Sequence, residues 1–131
     1  MTSPVSADLR AFLHEYVKSV EQAEILLLLF RTSPREWNAV KVGRELRVDA
    51  VSAARRLSDL HLGGLLSARS DEDALLYWYE GAYDPLVREL SVELSERPTA
   101  VISAIYAPAP AANEVRAFAD AFRIRAKGDS T

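Results

Sequence analysis

The stretch ELRVDAVSAARRLSDLHLGGLLSA, residues 45–68, contains the pattern that decides the fold. Apolar or small side chains return at helical spacing at Ala53, Leu57 and Leu60, which predicts a helix over about residues 50–62. The short polar segment RVD before it is typical of a turn between two helices. Two successive glycines follow, and glycine most easily takes the left-handed conformation past a helix end. The stretch therefore predicts a helix, a turn and a second helix that the glycines end.

Three further helix starts precede this stretch. Ser6 is expected to cap a first amphipathic helix, and Ser19 begins a second through a capping box with Gln22. The second helix contains the apolar run ILLLLF, residues 25–30, and is expected to be the central buried one. Asn38 is expected to cap the short helix that leads into the turn.

The chain beyond the glycines predicts a β-hairpin and then more helix. LLSARSDEDALLYWYE, residues 65–80, reads as a strand, a polar turn and an aromatic-rich strand. The later helical pattern is interrupted at Pro98, where the missing N–H and the ring predict a kink or two abutting helices. The segment APAPAA breaks the chain, and residues 113–127 predict a final short helix.

A length of 131 residues favours one compact unit. The predicted fold class is mainly α with a small β-hairpin. Residues 1–18 form an N-terminal helix, 19–82 the two-helix motif with its hairpin, 83–127 the C-terminal helices, and 128–131 a frayed tail. The two terminal helical segments serve dimerisation or core packing.

The segment VGRELRVDAVSAARRLSDLHLGGLL, residues 42–66, resembles the winged helix-turn-helix of bacterial regulators of the MarR, ArsR and PadR types. The resemblance covers about residues 19–80. It implies a winged helix-turn-helix core with extra N- and C-terminal helices, and sequence-specific DNA binding in transcriptional control. Winged helices also serve as protein-interaction modules, so the fold alone does not assign the function. The positions that carry the resemblance are Leu46, Val48, Ala53, Leu57, Leu60, Gly64 and Leu65.

The resemblance also implies which residues would contact DNA. In such families the second helix of the motif enters the major groove. Ser52 and Arg55 occupy outward positions where these regulators often carry contacting side chains, and Arg55 could bind guanine or phosphate. Arg56 lies at the flank of that helix and is expected to contact the DNA backbone. The other basic residues of the predicted interface are Lys41, Arg44, Arg47 and Arg69.

The charge distribution supports this interface at one place and opposes it at another. The whole chain has a net charge of −3, but residues 38–69 hold six basic and three acidic residues, a local excess of three positive charges. The same residues could instead be ordinary solvated helix faces. At the hairpin tip, Asp71, Glu72 and Asp73 would be repelled by phosphate. Either the wing stays away from the duplex, or it contacts a basic protein, or the module is an adaptor that does not bind DNA.

Other classes of protein receive little support from the sequence. The absence of cysteine excludes disulfides and thiolate chemistry and fits a cytoplasmic protein. His14 and His61 have no ligand-like neighbours, so neither a metal nor another cofactor is expected. No nucleophile motif or phosphate-binding glycine loop is present, and an enzyme is not expected. The N-terminus has no export signal, and the run at 25–30 is far shorter than the roughly 20 residues of a membrane span.

Apolar side chains outside the motif suggest a homodimer. The aromatic stretch LLYWYEGAY, residues 75–83, is expected to cover the helices beneath the hairpin, with a ligand pocket or dimer surface as the alternative. The terminal helices carry more apolar surface than one winged core readily covers, although a monomer of this length could absorb it. The residues in question are Phe12, Leu13, Tyr16, Leu94, Ile102, Ile105, Phe118 and Phe122.

Overall fold

A computed structural model describes residues 5–107 of the chain. These residues form six α-helices and one two-stranded antiparallel sheet. No helix among them is long and apolar enough to cross a membrane. The elements are α1 (Ala7–Tyr16), α2 (Val20–Arg31), α3 (Ala39–Leu46), α4 (Ala50–Leu62), β1 (Leu66–Asp71), β2 (Ala74–Tyr79), α5 (Asp84–Glu96) and α6 (Pro98–Ile105).

Side-chain caps start the first four helices. A helix leaves its first backbone N–H groups without intrahelical partners, and a preceding Ser, Asn or Asp oxygen accepts from them. The caps predicted from the sequence at the first three helices are confirmed, and α4 has a fourth. The bonds run from Leu9 N to Ser6 Oγ (3.1 Å), Gln22 N to Ser19 Oγ (3.1 Å), Lys41 N to Asn38 Oδ1 (2.8 Å), and Val51 N and Ser52 N to Asp49 Oδ2 (3.0 and 3.2 Å).

Gln22 differs from the expected capping box because its side chain joins two helices. Its Oε1 accepts from Lys18 N and its Nε2 donates to Tyr16 O, each at 3.0 Å. Only 1% of Gln22 is exposed, so both bonds lie in the core. The amide fixes the end of α1 against the start of α2.

The core is built around α2, which contacts α3, α4, α5 and β2. Apolar side chains of α1 complete it within the single chain, so α1 packs into the monomer core. The expectation that α2 is the central buried helix is confirmed. Side chains with no exposed surface include Leu9, Phe12 and Leu13 of α1 and Ile25, Leu26 and Leu29 of α2.

The sheet forms the wing, and an isolated β-bridge that the sequence did not reveal joins it to the chain before α3. β1 and β2 pair from Leu66↔Tyr79 to Asp71↔Ala74. Trp37 bridges Tyr77, and each N–H donates to the other carbonyl at 2.8 Å. Trp37 is buried, and its Nε1 donates to Thr32 Oγ1 at 2.9 Å. The wing is thereby attached to the loop between α2 and α3.

Aromatic residues after β1 pack onto the helices beneath them. Tyr83 lies against Phe12, and its hydroxyl oxygen lies 2.8 Å from that of Tyr16. Tyr79 meets Phe30 edge to face, with the ring centroids 5.2 Å apart. For these residues the covering role expected from the sequence is confirmed.

Two chain breaks behave as local chemistry predicts. Gly63 keeps a helical conformation, and Gly64 takes the left-handed one with φ +85°. Arg97 separates α5 from α6, so the break at Pro98 produces two abutting helices. The final helix predicted at 113–127 and the tail at 128–131 lie outside the described residues.

Candidate nucleic-acid interface

The turn between α3 and α4 depends on a close backbone approach at Gly43. Val48 N donates to Gly43 O at 3.0 Å, and a Cβ at Gly43 would lie 2.8 Å from Val48 O. Arg47 ends α3 in the left-handed conformation, with φ 58°. This role of Gly43 was not predicted from the sequence. A glycine inside a helix costs about 1 kcal/mol relative to alanine, and that mismatch was the available signal.

This turn exposes one face of α4. Ala50, Val51, Ala54 and Arg55 are all exposed on it, and 72% of Val51 is accessible. The opposite face packs into the core. Within residues 5–107, the Arg55 side chain makes no hydrogen bond or ion pair. Its guanidinium therefore projects from the free face of a helix, with five N–H donors available.

A carboxylate of α2 contacts two residues of the predicted interface, Ser52 and Arg56. The Ser52 hydroxyl donates to Glu21 Oε1, and Arg56 Nε lies 3.6 Å from the same oxygen. Ser52 is therefore not an outward-facing residue. It lies on the side of α4 that meets α2, with Arg56 one turn along on the same side. No spacing pattern indicates this contact, since Glu21 is 31 residues from Ser52.

Three further cations lie on and just after α3. Lys41, Arg44 and Arg47 are exposed, and no ion pair joins their side chains to another residue of the described part of the chain. With Arg55 they form a set of four unpaired cations on the two helices of the motif. We call this set the basic face.

Arg69 on β1 is paired across the wing. Its Nε and Nη2 donate to the two carboxylate oxygens of Glu36, each at 2.8 Å. This bidentate bond lowers the pKa of the Glu36 carboxyl. The structure therefore separates Arg69 from the basic face and gives it a partner inside the protein.

The acidic wing tip lies close to the exposed face of α4. Asp71, Glu72 and Asp73 are exposed, and Glu72 turns the hairpin with φ 54°. Asp73 and Ala54 line the same cavity of about 340 Å³, together with Val40 at the start of α3. A polyanion bound along α4 would therefore meet carboxylates at the wing.

The site holds the elements of a winged helix-turn-helix. α3, the turn and α4 form the helix-turn-helix, and the hairpin is the wing. Within residues 5–107, no group of three or more His, Cys, Asp or Glu side chains could hold a metal ion. The arrangement offers hydrogen-bond donors and positive charge on an exposed helix, which suits binding to an anionic or base-edge surface.

The fold is that of the MarR-family regulators, which confirms the resemblance seen in the sequence. Sco5413, a MarR family transcriptional regulator from Streptomyces coelicolor, superposes with a TM-score of 0.55 and 20% identity, covering 92% of this chain and 82% of its own. A MarR family protein from Bacillus stearothermophilus gives 0.51 and 14%, covering 94% and 83%. The F27L mutant of Staphylococcus aureus MepR, bound to an oligodeoxyribonucleotide, gives 0.52 and 11%, covering 92% and 88%. At these identities the likeness shows the fold.

Sequence comparisons add no closer relative. No protein-family model matches the chain, and no curated protein matches it significantly.

Proposed function

We propose that this protein is a sequence-specific, DNA-binding transcriptional regulator of bacterial type that acts in the cytoplasm and is not an enzyme. The observation that supports this proposal most is the Arg55 guanidinium on the exposed face of α4, which has no partner among residues 5–107. A solved relative of the same fold, the MepR mutant, is bound to an oligodeoxyribonucleotide. α4 is then the recognition helix.

In the proposed complex, one residue of the basic face contacts bases and the other three contact phosphates. Arg55 donates two hydrogen bonds to guanine O6 and N7 in the major groove, and the exposed side chains of Val51 and Ala54 contact thymine methyl groups. Lys41, Arg44 and Arg47 neutralise phosphates and set the position of the helix on the duplex.

Three residues predicted from the sequence have a smaller part in this proposal. Ser52 and Arg56 are engaged by Glu21, and Arg69 by Glu36. A phosphate that approached any of them would also approach a carboxylate. Contacts from these three to DNA stay predictions, and the proposal does not depend on them.

We propose further that the protein is a homodimer through α5 and α6. Val92 and Ile102 are 53% and 39% exposed, and Tyr106, just after α6, is 62% exposed. Large apolar side chains that remain exposed on neighbouring helices favour a partner surface, and two-fold dimers are the commonest closed assembly. Two recognition helices in such a dimer would meet DNA roughly 34 Å apart.

The alternative is an adaptor that binds a basic protein and no DNA. It is favoured by the three exposed carboxylates at the wing tip, where DNA-binding winged helices use positive charge. The two functions make opposite predictions for Arg55, because an adaptor that docks through its acidic tip does not need the guanidinium.

The test is selection of bound fragments from the host genome, followed by titration of the enriched duplex. Arg55→Ala should weaken binding to that duplex by about 5- to 150-fold, the loss expected for one bidentate base contact. Arg31→Ala is the matched control, since Arg31 is also exposed but lies at the far end of α2 from Glu21. Equal affinity for the two variants, or no enriched fragment with the wild-type protein, would contradict the proposal.

A further inference from the structure

Glu21 makes a contact with the recognition helix that the proposed function does not use. It lies in the first turn of α2 and meets two side chains of α4 at once. The Ser52 hydroxyl donates to its Oε1, and Arg56 Nε lies 3.6 Å from that oxygen. The side chains of Arg56 and Glu21 are each 29% exposed, so this pair lies half-buried between the two helices.

The contact lies directly beside the base-contacting face. Successive residues of a helix are about 100° apart, so Arg56 is one step around α4 from Arg55. Arg55 has no partner within the described residues, whereas Arg56 already has the Glu21 carboxylate beside its guanidinium. Of these two adjacent arginines, Arg56 therefore lies beside a negative charge and Arg55 does not lie beside one within the described residues.

We propose that Glu21 is a specificity-determining residue, which acts by keeping Arg56 and Ser52 out of contact with DNA phosphates. This inference rests on the proposed DNA binding. Sequence-independent affinity comes almost entirely from phosphate contacts, whereas specific affinity also includes base contacts. Withholding one cation from phosphate weakens binding to random DNA and leaves Arg55 to contact bases. Glu21 therefore raises the ratio of specific to non-specific affinity.

The test measures the affinity for a random-sequence duplex as a function of salt concentration. Glu21→Gln keeps an acceptor for Ser52 but removes the charge that holds Arg56. It should tighten binding, and the slope of log K against log salt should become steeper by about 0.9 per protomer, the value of one phosphate contact. Between 50 and 200 mM salt this variant should lose about 3.5-fold more affinity per protomer than the wild type.

Two further variants separate release of Arg56 from a general change of charge. Glu24→Gln makes the same charge change one turn along α2, at an exposed residue, and should leave the slope unchanged. Arg56→Gln should leave the slope unchanged in the wild-type background, because Arg56 makes no phosphate contact there, but it should return the Glu21→Gln variant to the wild-type slope. Thermal unfolding of each variant checks that it is folded. Arg56→Gln in the wild-type background gives a test that does not require the Glu21 variant to fold.

Several outcomes would overturn the inference while the proposed function stands. One is that the wild type binds the duplex but the slope of log K against log salt is the same for the Glu21→Gln and Glu24→Gln variants. Another is an equal loss of affinity from Arg56→Gln in both backgrounds, because Arg56 would then contact DNA with Glu21 in place. Failure of the wild type and every variant to bind duplex DNA would instead contradict the proposed function, and this inference with it.

Discussion

At the scale of single residues, Gly43 is where packing leaves no room for a side chain. Alanine normally stabilises a helix relative to glycine by about 1 kcal/mol. At Gly43 the added Cβ would lie 2.8 Å from the Val48 carbonyl oxygen, and backbone cannot rotate away as a side chain can. We therefore expect Gly43→Ala to lower the free energy of unfolding by about 1–3 kcal/mol, the usual cost of overpacking. Urea denaturation measures it.

Glu45→Ala is the control for this prediction, because Glu45 is exposed on the same helix. Its free energy of unfolding should stay within about 0.5 kcal/mol of the wild type. A Gly43→Ala variant as stable as that control would show that the turn between α3 and α4 has more space than the structure gives it.

Asp84 links stability to pH at the start of α5. The hydrogen bond from Arg88, and then that from the Tyr79 hydroxyl, lower the pKa of its carboxyl. A pKa that is lower in the folded state stabilises the protein above the unfolded value of about 3.9, and this contribution disappears as the pH falls through the folded value. We expect Tm to fall on acidification through that range, and to fall less in Asp84→Asn. Calorimetry at a series of pH values measures this. The same fall of Tm on acidification in the wild type and in Asp84→Asn would exclude this role of Asp84.

Residues with local partners were predictable from sequence, and residues with distant partners were not. Ser6, Ser19 and Asn38 each cap the helix that follows them, so the signal lies within three residues. Glu21 and Ser52 meet only after α2 packs on α4. No spacing rule links positions so far apart, and for that reason the sequence overstated how many basic residues of the motif are available to a ligand.

At the scale of elements, the helices and the hairpin were predicted from the periodicity of apolar residues and from the residues that cap helices or form turns. The predicted bounds of about 50–62 for α4 agree with Ala50–Leu62, because an Asp cap and a glycine pair mark its two ends. The β-bridge between Trp37 and Tyr77 was missed. It involves Trp37 alone on one side, and a single bridging residue has no periodicity to detect.

The acidic tip of the wing leads to a prediction about DNA affinity. Asp73 and Ala54 of α4 line the same cavity. The phosphates of a duplex bound along α4 would therefore lie close to the carboxylates of the wing tip. Replacing Asp71, Glu72 and Asp73 by Asn, Gln and Asn should tighten binding to duplex DNA at low salt, measured by fluorescence anisotropy, because the like-charge repulsion is removed.

A distant triple variant controls for net charge in that experiment. Asp8, Glu15 and Glu96 are exposed on α1 and α5, and their amide replacements make the same charge change. The wing variant should gain more affinity than this control. An equal gain would mean that the wing is held away from the duplex, and a loss of affinity would mean that the tip takes part in binding.

At the scale of the whole molecule, the burial pattern divides the terminal helices into two roles. The apolar face of α1 is fully covered within one chain, whereas α5 and α6 leave large apolar side chains exposed. Ile102→Glu should therefore convert a dimer into a monomer in sedimentation velocity, and should weaken binding to a two-fold operator. The sequence could not divide these roles, since all the terminal helices are amphipathic. Phe118 and Phe122 lie outside the described residues.

Leu62→Glu is the control for the dimer prediction. Leu62 is 80% exposed at the end of α4, so the same apolar-to-acidic change is made away from α5 and α6. This variant should keep the oligomeric state of the wild type. A wild-type monomer, or an Ile102→Glu variant that remains dimeric, would contradict the proposed interface.

The salt dependence of binding by the wild-type protein shows whether the exposed cations of α3 and α4 bind duplex DNA. Three phosphate-neutralising cations per protomer, Lys41, Arg44 and Arg47, predict that log K for a random duplex falls linearly with log salt, with a slope of about −2.7 per protomer or steeper. A slope in that range, reduced when Lys41 and Arg44 are replaced by Gln, is the predicted result. No binding at about 50 mM salt, or an affinity independent of salt, would contradict the account.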